Sequence, residues 1–182
     1  VGWVHTLLHA KGEPEPLILS VGIDLTELKS AEARVNFLSE FDPLTGLYNR
    51  QAFAARLDAL LLRGDNGGGA LMLVDLDNFK AINDQHGHNC GDQVLVEVAS
   101  VVTGALRQTD VVCRWGGEEF VVLLPAANGP RAESIAEQLK QSICNQIKVG
   151  DQAVTASFGL FAASRALDAM FAPAEHDMGE HQ

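Results

Sequence analysis

Two apolar, β-rich runs, Val111-Val112-Cys113-Arg114-Trp115 and Phe120-Val121-Val122-Leu123-Leu124, flank Gly116-Gly117. A two-residue reversal between antiparallel strands needs positive φ, which glycine adopts without strain, so the stretch predicts a tight hairpin with Glu118 and Glu119 at its tip. Ala70-Leu71-Met72-Leu73-Val74 is a nearly unbroken apolar run ending on Asp75, the pattern of a central strand covered on both faces. Helices are expected from about Arg50 to Arg63, about Asp92 to Leu106, and Arg131 to Ile147, with a final strand over Ala153–Ala162. Asp77 to Asp92 reads as a polar segment and Gly64 to Gly69 as a loop. Strands and helices interleave, which predicts an α/β (α+β) fold with a mixed sheet flanked by helices.

The N-terminal text is different. Val4–His9 and Leu17–Ile23 read as extended pieces around the turn-like Lys11-Gly12-Glu13-Pro14, and two strands alone are not a domain. Leu28, Ala31, Val35 and Leu38 then make an apolar seam on a helix from about Thr26 to Glu40. That seam fits either packing on its own domain or a short dimeric coiled coil. Asp42-Pro43-Leu44-Thr45-Gly46 breaks the helix, because proline lacks the N–H and glycine frees the backbone.

The chain has 182 residues, 47% of them hydrophobic, enough for one good core plus appendages. It opens on Val1 and reads as a piece of a longer protein. Its 24 acidic and 13 basic residues give a net charge of −11, which argues against binding DNA or RNA by neutralising phosphates. An anionic ligand would need a metal bridge or a local basic spot. Cys90, Cys113 and Cys144 show no close pairing, so a reducing compartment is expected rather than a disulfide framework. No run approaches the roughly 20 apolar residues of a membrane span, and no signal peptide is evident, so any anchor would lie upstream.

Acids at a hairpin tip are commonly just solvated. Here Asp75 and Asp77 add a second oxygen-rich cluster at a strand end, and two such clusters suit Mg²⁺ together with substrate phosphates. In Asn83-Asp84-Gln85-His86-Gly87-His88-Asn89-Cys90-Gly91-Asp92, a carboxylate such as Asp92 can accept from guanine N1–H and the exocyclic amine, and the Asn83 amide can donate and accept. A loop with an Asp helix cap explains the same spacing equally well. Lys80 is the only basic residue near this cluster in sequence, and a solvated surface lysine is its plainer reading.

Taken together, these segments resemble the GGDEF domain of diguanylate cyclases. The resemblance rests on Asp42-Pro43-Leu44-Thr45-Gly46-Leu47-Tyr48-Asn49-Arg50, Asp75-Leu76-Asp77-Asn78-Phe79-Lys80-Ala81-Ile82-Asn83-Asp84, Gly87-His88, Gly91-Asp92, Arg114 through Phe120, and Ala156-Ser157-Phe158-Gly159. It implies a largely antiparallel sheet of about five strands, like that of nucleotidyl cyclases and polymerase palms. It also implies condensation of two GTP into cyclic di-GMP across a homodimer. By the same resemblance, Asp75, the Leu76 carbonyl and Glu118 would hold Mg²⁺, with Mn²⁺ as an alternative. Asn83 and Asp92 would grip guanine with His88 close to the substrate. Lys80 and the amides around Asn78 and Phe79 would meet phosphate, Gly116 and Gly117 would face substrate, and Glu119 would stand with Glu118 and Lys80 in the catalytic set. Glu118 occupies a position where the family accepts Asp or Glu.

Arg107-Gln108-Thr109-Asp110, beginning nine residues before Gly116, looks like the family's R-x-x-D product-inhibition site. The plainer alternative is an arginine on helix-end carbonyls beside a turn aspartate, and the family context favours the inhibitory reading. Some relatives add an arginine on the next long helix, where Gln138 falls here. Trp3–Ile23 and Gly22-Ile23-Asp24-Leu25-Thr26-Glu27-Leu28-Lys29 are similar to the end of a PAS sensor and its linker. The expected parts are residues 1–24 as PAS-like strands, 25–41 as a signalling helix, 42–165 as the catalytic domain and 166–182 as an atypical tail.

Family members usually continue into a helix carrying phosphate-contacting Lys and Arg. This chain has Ala166-Leu167-Asp168-Ala169-Met170-Phe171-Ala172-Pro173 and no Lys or Arg after Arg165, while His176 and His181 read as solvated tail residues. Two functions follow as expectations: a cytoplasmic Mg²⁺-dependent diguanylate cyclase, or a non-catalytic module sensing cyclic di-GMP or GTP. A cyclase for another base is disfavoured by Asn83 and Asp92.

Overall fold

The protein is described by a computed structural model covering residues 2–8, 17–62 and 69–162. The chain divides into two units, Val1–Ser39 and Glu40–Gln182. In the first, β1 (Gly2–Leu8) and β2 (Leu17–Ile23) pair antiparallel, Trp3 opposite Gly22. Trp3, Val4, Leu7, Ile18, Val21 and Ile23 are all exposed, so this ribbon buries little of its apolar surface. Asp24 accepts hydrogen bonds from the Thr26 N–H and hydroxyl at 2.9 and 2.6 Å and so starts α1 (Thr26–Glu40). Of the apolar seam on α1, Leu28, Val35 and Leu38 are exposed. The Lys11–Pro14 turn, the loop after Leu62, the tail with His176 and His181, and the side chain of Ala31 lie outside the described residues.

In the second unit, α2 (Arg50–Leu62) is capped by Asn49, whose side-chain oxygen accepts from Ala52 N–H. β3 (Gly69–Leu76) is followed by α3 (Phe79–His86) and α4 (His88–Ala105). β4 (Val111–Gly116) and β5 (Glu119–Pro125) form the hairpin, and α5 (Gly129–Gln146) opens with Asn128 accepting from Arg131 N–H and a proline in its first turn. A small hairpin, β6 (Lys148–Val149) and β7 (Gln152–Ala153), leads to β8 (Ala156–Ala162).

Among the described residues the main sheet has four strands in the order β4-β5-β3-β8, all paired antiparallel, against the five or so expected. Its parallel component is one isolated bridge, Tyr48 to Cys113. Both faces are covered, which is why β3 and β5 read as continuous apolar runs. Ala70, Met72, Val74 and Leu76 pack with Val94, Val98 and Val102 of α4 and Leu139 and Ile143 of α5. Leu71, Val121, Leu123 and Cys113 pack against Phe53 and Leu57 of α2 on the other face. Burial there, with the Asp42 carboxylate nearby, pushes the Cys113 thiol up to about 12. Among the described residues no helix is long and apolar enough to cross a membrane.

Two local expectations change. The polar segment from Asp77 to Asp92 folds into α3 and the first turn of α4, with Gly87 (φ 83°) ending one helix and starting the next. In α3 only Phe79 is buried, so a helical stripe is too thin to read. The two loop residues of the hairpin are Gly117 and Glu118, not Gly116 and Gly117. Gly116 closes β4 opposite Glu119, a register shift between Arg114 and Gly116 leaves Trp115 as the extra residue, and of the two glycines only Gly117 has positive φ (45°).

Candidate active site

The site lies where alternation along β3 outruns its cover. Asp75 shares a face with Leu71 and Leu73 but emerges exposed at the strand end. Ser157 of β8 and Glu119 of β5 are its register partners, so a polar row crosses three strands. Glu118 stands at the adjacent turn. Partial burial, then the charges of Glu118 and Asp77, push the Asp75 carboxyl above its ordinary range. Like charges held together at a strand end are what a divalent cation relieves. Among the described residues no three His, Cys, Asp or Glu side chains close a metal centre by themselves. Carboxylate and backbone carbonyl oxygens at this strand end are hard donors, the type that suits Mg²⁺ when substrate oxygens complete its shell.

Asp77 is occupied otherwise. Its two oxygens accept from the Ser157 and Thr155 hydroxyls, each at 2.7 Å, and its N–H donates to the Thr155 carbonyl at 2.9 Å. The hydroxyls hold its carboxyl below the ordinary range against a small burial penalty, with help from the charge of Lys140. Asp77 thus ties the end of β3 to the start of β8 and is a strut rather than an open ligand. Lys140 of α5 also means that Lys80 is not the sole cation serving this cluster.

Beyond Asp77 the chain turns sharply: Asn78 is left-handed (φ 56°) and precedes α3 without capping it by its side chain. A helix start leaves its first N–H groups without intrahelical acceptors, so the amides at Phe79 and Lys80 suit an anion, and Lys80 is exposed in the same turn. Asn83 is half-buried on α3, His88 begins α4 and is exposed, and Asp92 is exposed in the first turn of α4. Gly91, which precedes Asp92, lies directly under the Asn83 side chain.

Arg114 braces the Glu118 turn. Its Nε and Nη2 donate to the Gly117 carbonyl at 3.1 and 2.9 Å, and its Nη1 reaches both Asp42 oxygens at 3.2 and 3.3 Å. Asp42 also accepts from the Thr45 N–H and hydroxyl at 2.9 and 2.7 Å. Burial would raise the Asp42 carboxyl, but the Thr45 bonds together with the Arg114 bond and charge outweigh it and hold the group below its ordinary value. Sequence reading assigned no role to this clasp, because its two ends are 72 residues apart.

At the far end of α4, Asp110 accepts from the Arg107 N–H at 2.9 Å and donates its own N–H back to the Arg107 carbonyl, which leaves the Arg107 side chain exposed. Gln138 is exposed on α5. On the α2 face, Leu73, Val121 and Phe161 line a groove of about 430 Å³ whose rim carries Asp75 and Glu119. Its floor is apolar, so the rim carboxylates carry the candidate chemistry.

Asp75 gives a direct test of charge crowding. A carboxyl raised in the folded state favours folding below its unfolded pKa, and that benefit is lost as pH rises through the folded value. Asp75→Asn is therefore expected to raise the thermal midpoint at pH 7 without divalent cations and to leave it unchanged near pH 3.5. Equal midpoints at both pH values would remove the crowding argument.

A family model described as "Diguanylate cyclase, GGDEF domain" matches residues 39–180. Diguanylate cyclase DgcP of Pseudomonas aeruginosa is 41% identical over 141 residues, 74% of this chain and 21% of that protein. Diguanylate cyclase DgcM of Escherichia coli is 36% identical over 151 residues, 80% of this chain and 36% of that protein. The coiled coil and GGDEF domain of DgcB from Caulobacter crescentus, solved in complex with c-di-GMP, superposes with a TM-score of 0.68 at 28% identity, covering 76% of each chain. This chain belongs to the GGDEF diguanylate cyclase family. It spans about a fifth to a third of the length of these curated relatives.

Proposed function

We propose that residues 42–165 form a diguanylate cyclase unit that condenses two GTP into cyclic di-GMP and pyrophosphate in the cytoplasm. The observation that carries the reading is the crowding of Asp75 by Glu118 and Asp77 at the sheet end, beside the uncapped start of α3. Asp75, the Leu76 carbonyl and Glu118 would hold Mg²⁺, or Mn²⁺ in its place. Such an ion, when bound, neutralises charge developing on the phosphates.

The remaining work is binding and alignment by the chain's own groups. Amides at Asn78 and Phe79, with Lys80, hold phosphate oxygens. Asn83 and Asp92 read the guanine edge with His88 beside the nucleotide, and the backbone of Gly116 and Gly117 lies along it. Two copies face each other, each presenting one GTP, so that each ribose 3′-hydroxyl meets the α-phosphate of the other nucleotide. Glu119 helps take the hydroxyl proton. Each attack forms one O–P bond and breaks the bond to pyrophosphate, with no covalent enzyme intermediate.

On this reading 1–24 end a PAS-like sensor, 25–41 relay its signal, and 166–182 are a variant tail. Incubation with GTP and Mg²⁺ followed by chromatography tests the proposal. Cyclic di-GMP appearing in proportion to enzyme supports it, and unconsumed GTP sinks it. Product control at Arg107 and Asp110 has a separate check. Because Asp110 already closes the turn, the exposed Arg107 is the group available for a phosphate or guanine edge. Arg107→Ala is expected to weaken cyclic di-GMP binding about 10- to 100-fold in calorimetric titration, and equal affinity would remove the inhibitory role.

A further inference from the structure

α3 and α4 turn back on each other through the single residue Gly87, and Gly91, in the first turn of α4, is buried against α3. A Cβ built on Gly91 would overlap the side-chain oxygen of Asn83, and would lie 3.0 Å from its Cγ and 3.1 Å from the Phe79 ring. The space a side chain would take at residue 91 is filled by the Asn83 amide. Asp92 is the next residue. We infer that Gly91 is a positioning residue for nucleotide recognition, whose missing side chain seats the Asn83 amide beside Asp92. The inference rests on the proposed reading of guanine by Asn83 and Asp92.

The two neighbours of Gly91 would respond differently to an added methyl group. Phe79 is 8% exposed and belongs to the main core, so it gives only a few tenths of an ångström. Asn83 is half-buried, and its amide lies at the end of rotatable bonds, so it swings aside. The backbone does not oppose alanine, because Gly91 is not among the positive-φ glycines and alanine is the better helix former. The methyl therefore displaces the recognition amide and spares the fold. A purely structural glycine would behave in the opposite way, losing stability first.

The test uses the whole chain and 3′-deoxy-GTP, which lacks the attacking hydroxyl and cannot be condensed, with 3′-deoxy-ATP as the base control and Mg²⁺ throughout. Gly91→Ala and Asn83→Ala are each expected to weaken 3′-deoxy-GTP about tenfold or more and to narrow the preference over 3′-deoxy-ATP. The double variant should bind no more weakly than Asn83→Ala, the non-additivity of two changes acting through one group. Gly91→Ala should melt within about 2 °C of wild type or above it. Wild-type affinity in Gly91→Ala, losses that multiply in the double variant, or a loss accompanied by a clearly lower melting point would overturn the inference. Wild-type affinity in Asn83→Ala would instead show that the guanine reading itself is wrong, and the inference would fall with it.

Discussion

Glu118→Ala is expected to reduce cyclic di-GMP formation at least about a hundredfold, the scale on which a single preorganised charged or hydrogen-bonding group acts in a transition state. Glu118 is half-buried at a turn whose positive φ belongs to Gly117, so its side chain can be removed without disturbing the backbone geometry. What disappears is one of the two charges that crowd Asp75. The Asp75 carboxyl should then titrate closer to its ordinary range, and the ion affinity of the sheet end should fall with it. The loss belongs mainly in kcat, because GTP would still meet α3 and α4. Steady-state kinetics by chromatography separates the two effects, and turnover indifferent to Glu118 would place the chemistry elsewhere.

Arg114→Ala should cost about 2–3 kcal/mol of folding stability, an estimate for removing a charged partner from hydrogen-bonded, partly buried groups, reduced for partial solvent access. The Arg114 and Asp42 side chains are 17% and 18% exposed. The substitution withdraws donors from the Gly117 carbonyl and the counter-charge from Asp42, while Thr45 still holds the carboxylate. The pH dependence has a definite sign. A carboxyl held below its unfolded value contributes stability above that value, near 3.9, and loses it as pH falls through the folded pKa. Without Arg114 the Asp42 carboxyl is held down less strongly, so the gap between wild type and variant should be full at pH 7 and shrink under acid. Arg114→Lys should recover part of the Asp42 contribution but not the fork onto Gly117. Chemical denaturation from pH 3 to 7 reads this directly, and coincident curves would dismiss the clasp as incidental.

The sequence made visible those features that depend on neighbours along the chain. β3 and β5 could be read because they are buried on both faces. What remained hidden depends on distant partners. Asp77 resembled another open acid until Thr155 and Ser157, 78 and 80 residues further on, were seen to occupy it. α3 is short and polar, with Phe79 its only buried residue, so its helicity comes from packing on α4 and not from its own pattern. Lys140 was invisible for the same reason, lying on a helix that returns to the site only after folding. Gly91 could be recognised as part of a motif, but not as the seat of Asn83.

The row Ser157-Asp75-Glu119 also bears on how the sheet avoids assembling wrongly. Neighbouring residues of a strand face opposite sides, so sliding β5 by one position against β3 would send Glu119 towards the α4–α5 layer and turn Phe120 to the side where the acids emerge. An unpaired carboxylate inside that layer costs several kcal/mol, far more than a misplaced leucine would. The acids that suit this edge to a cation and a nucleotide therefore penalise the slipped pairing, and the charged rim serves as a register mark for the strands that carry it.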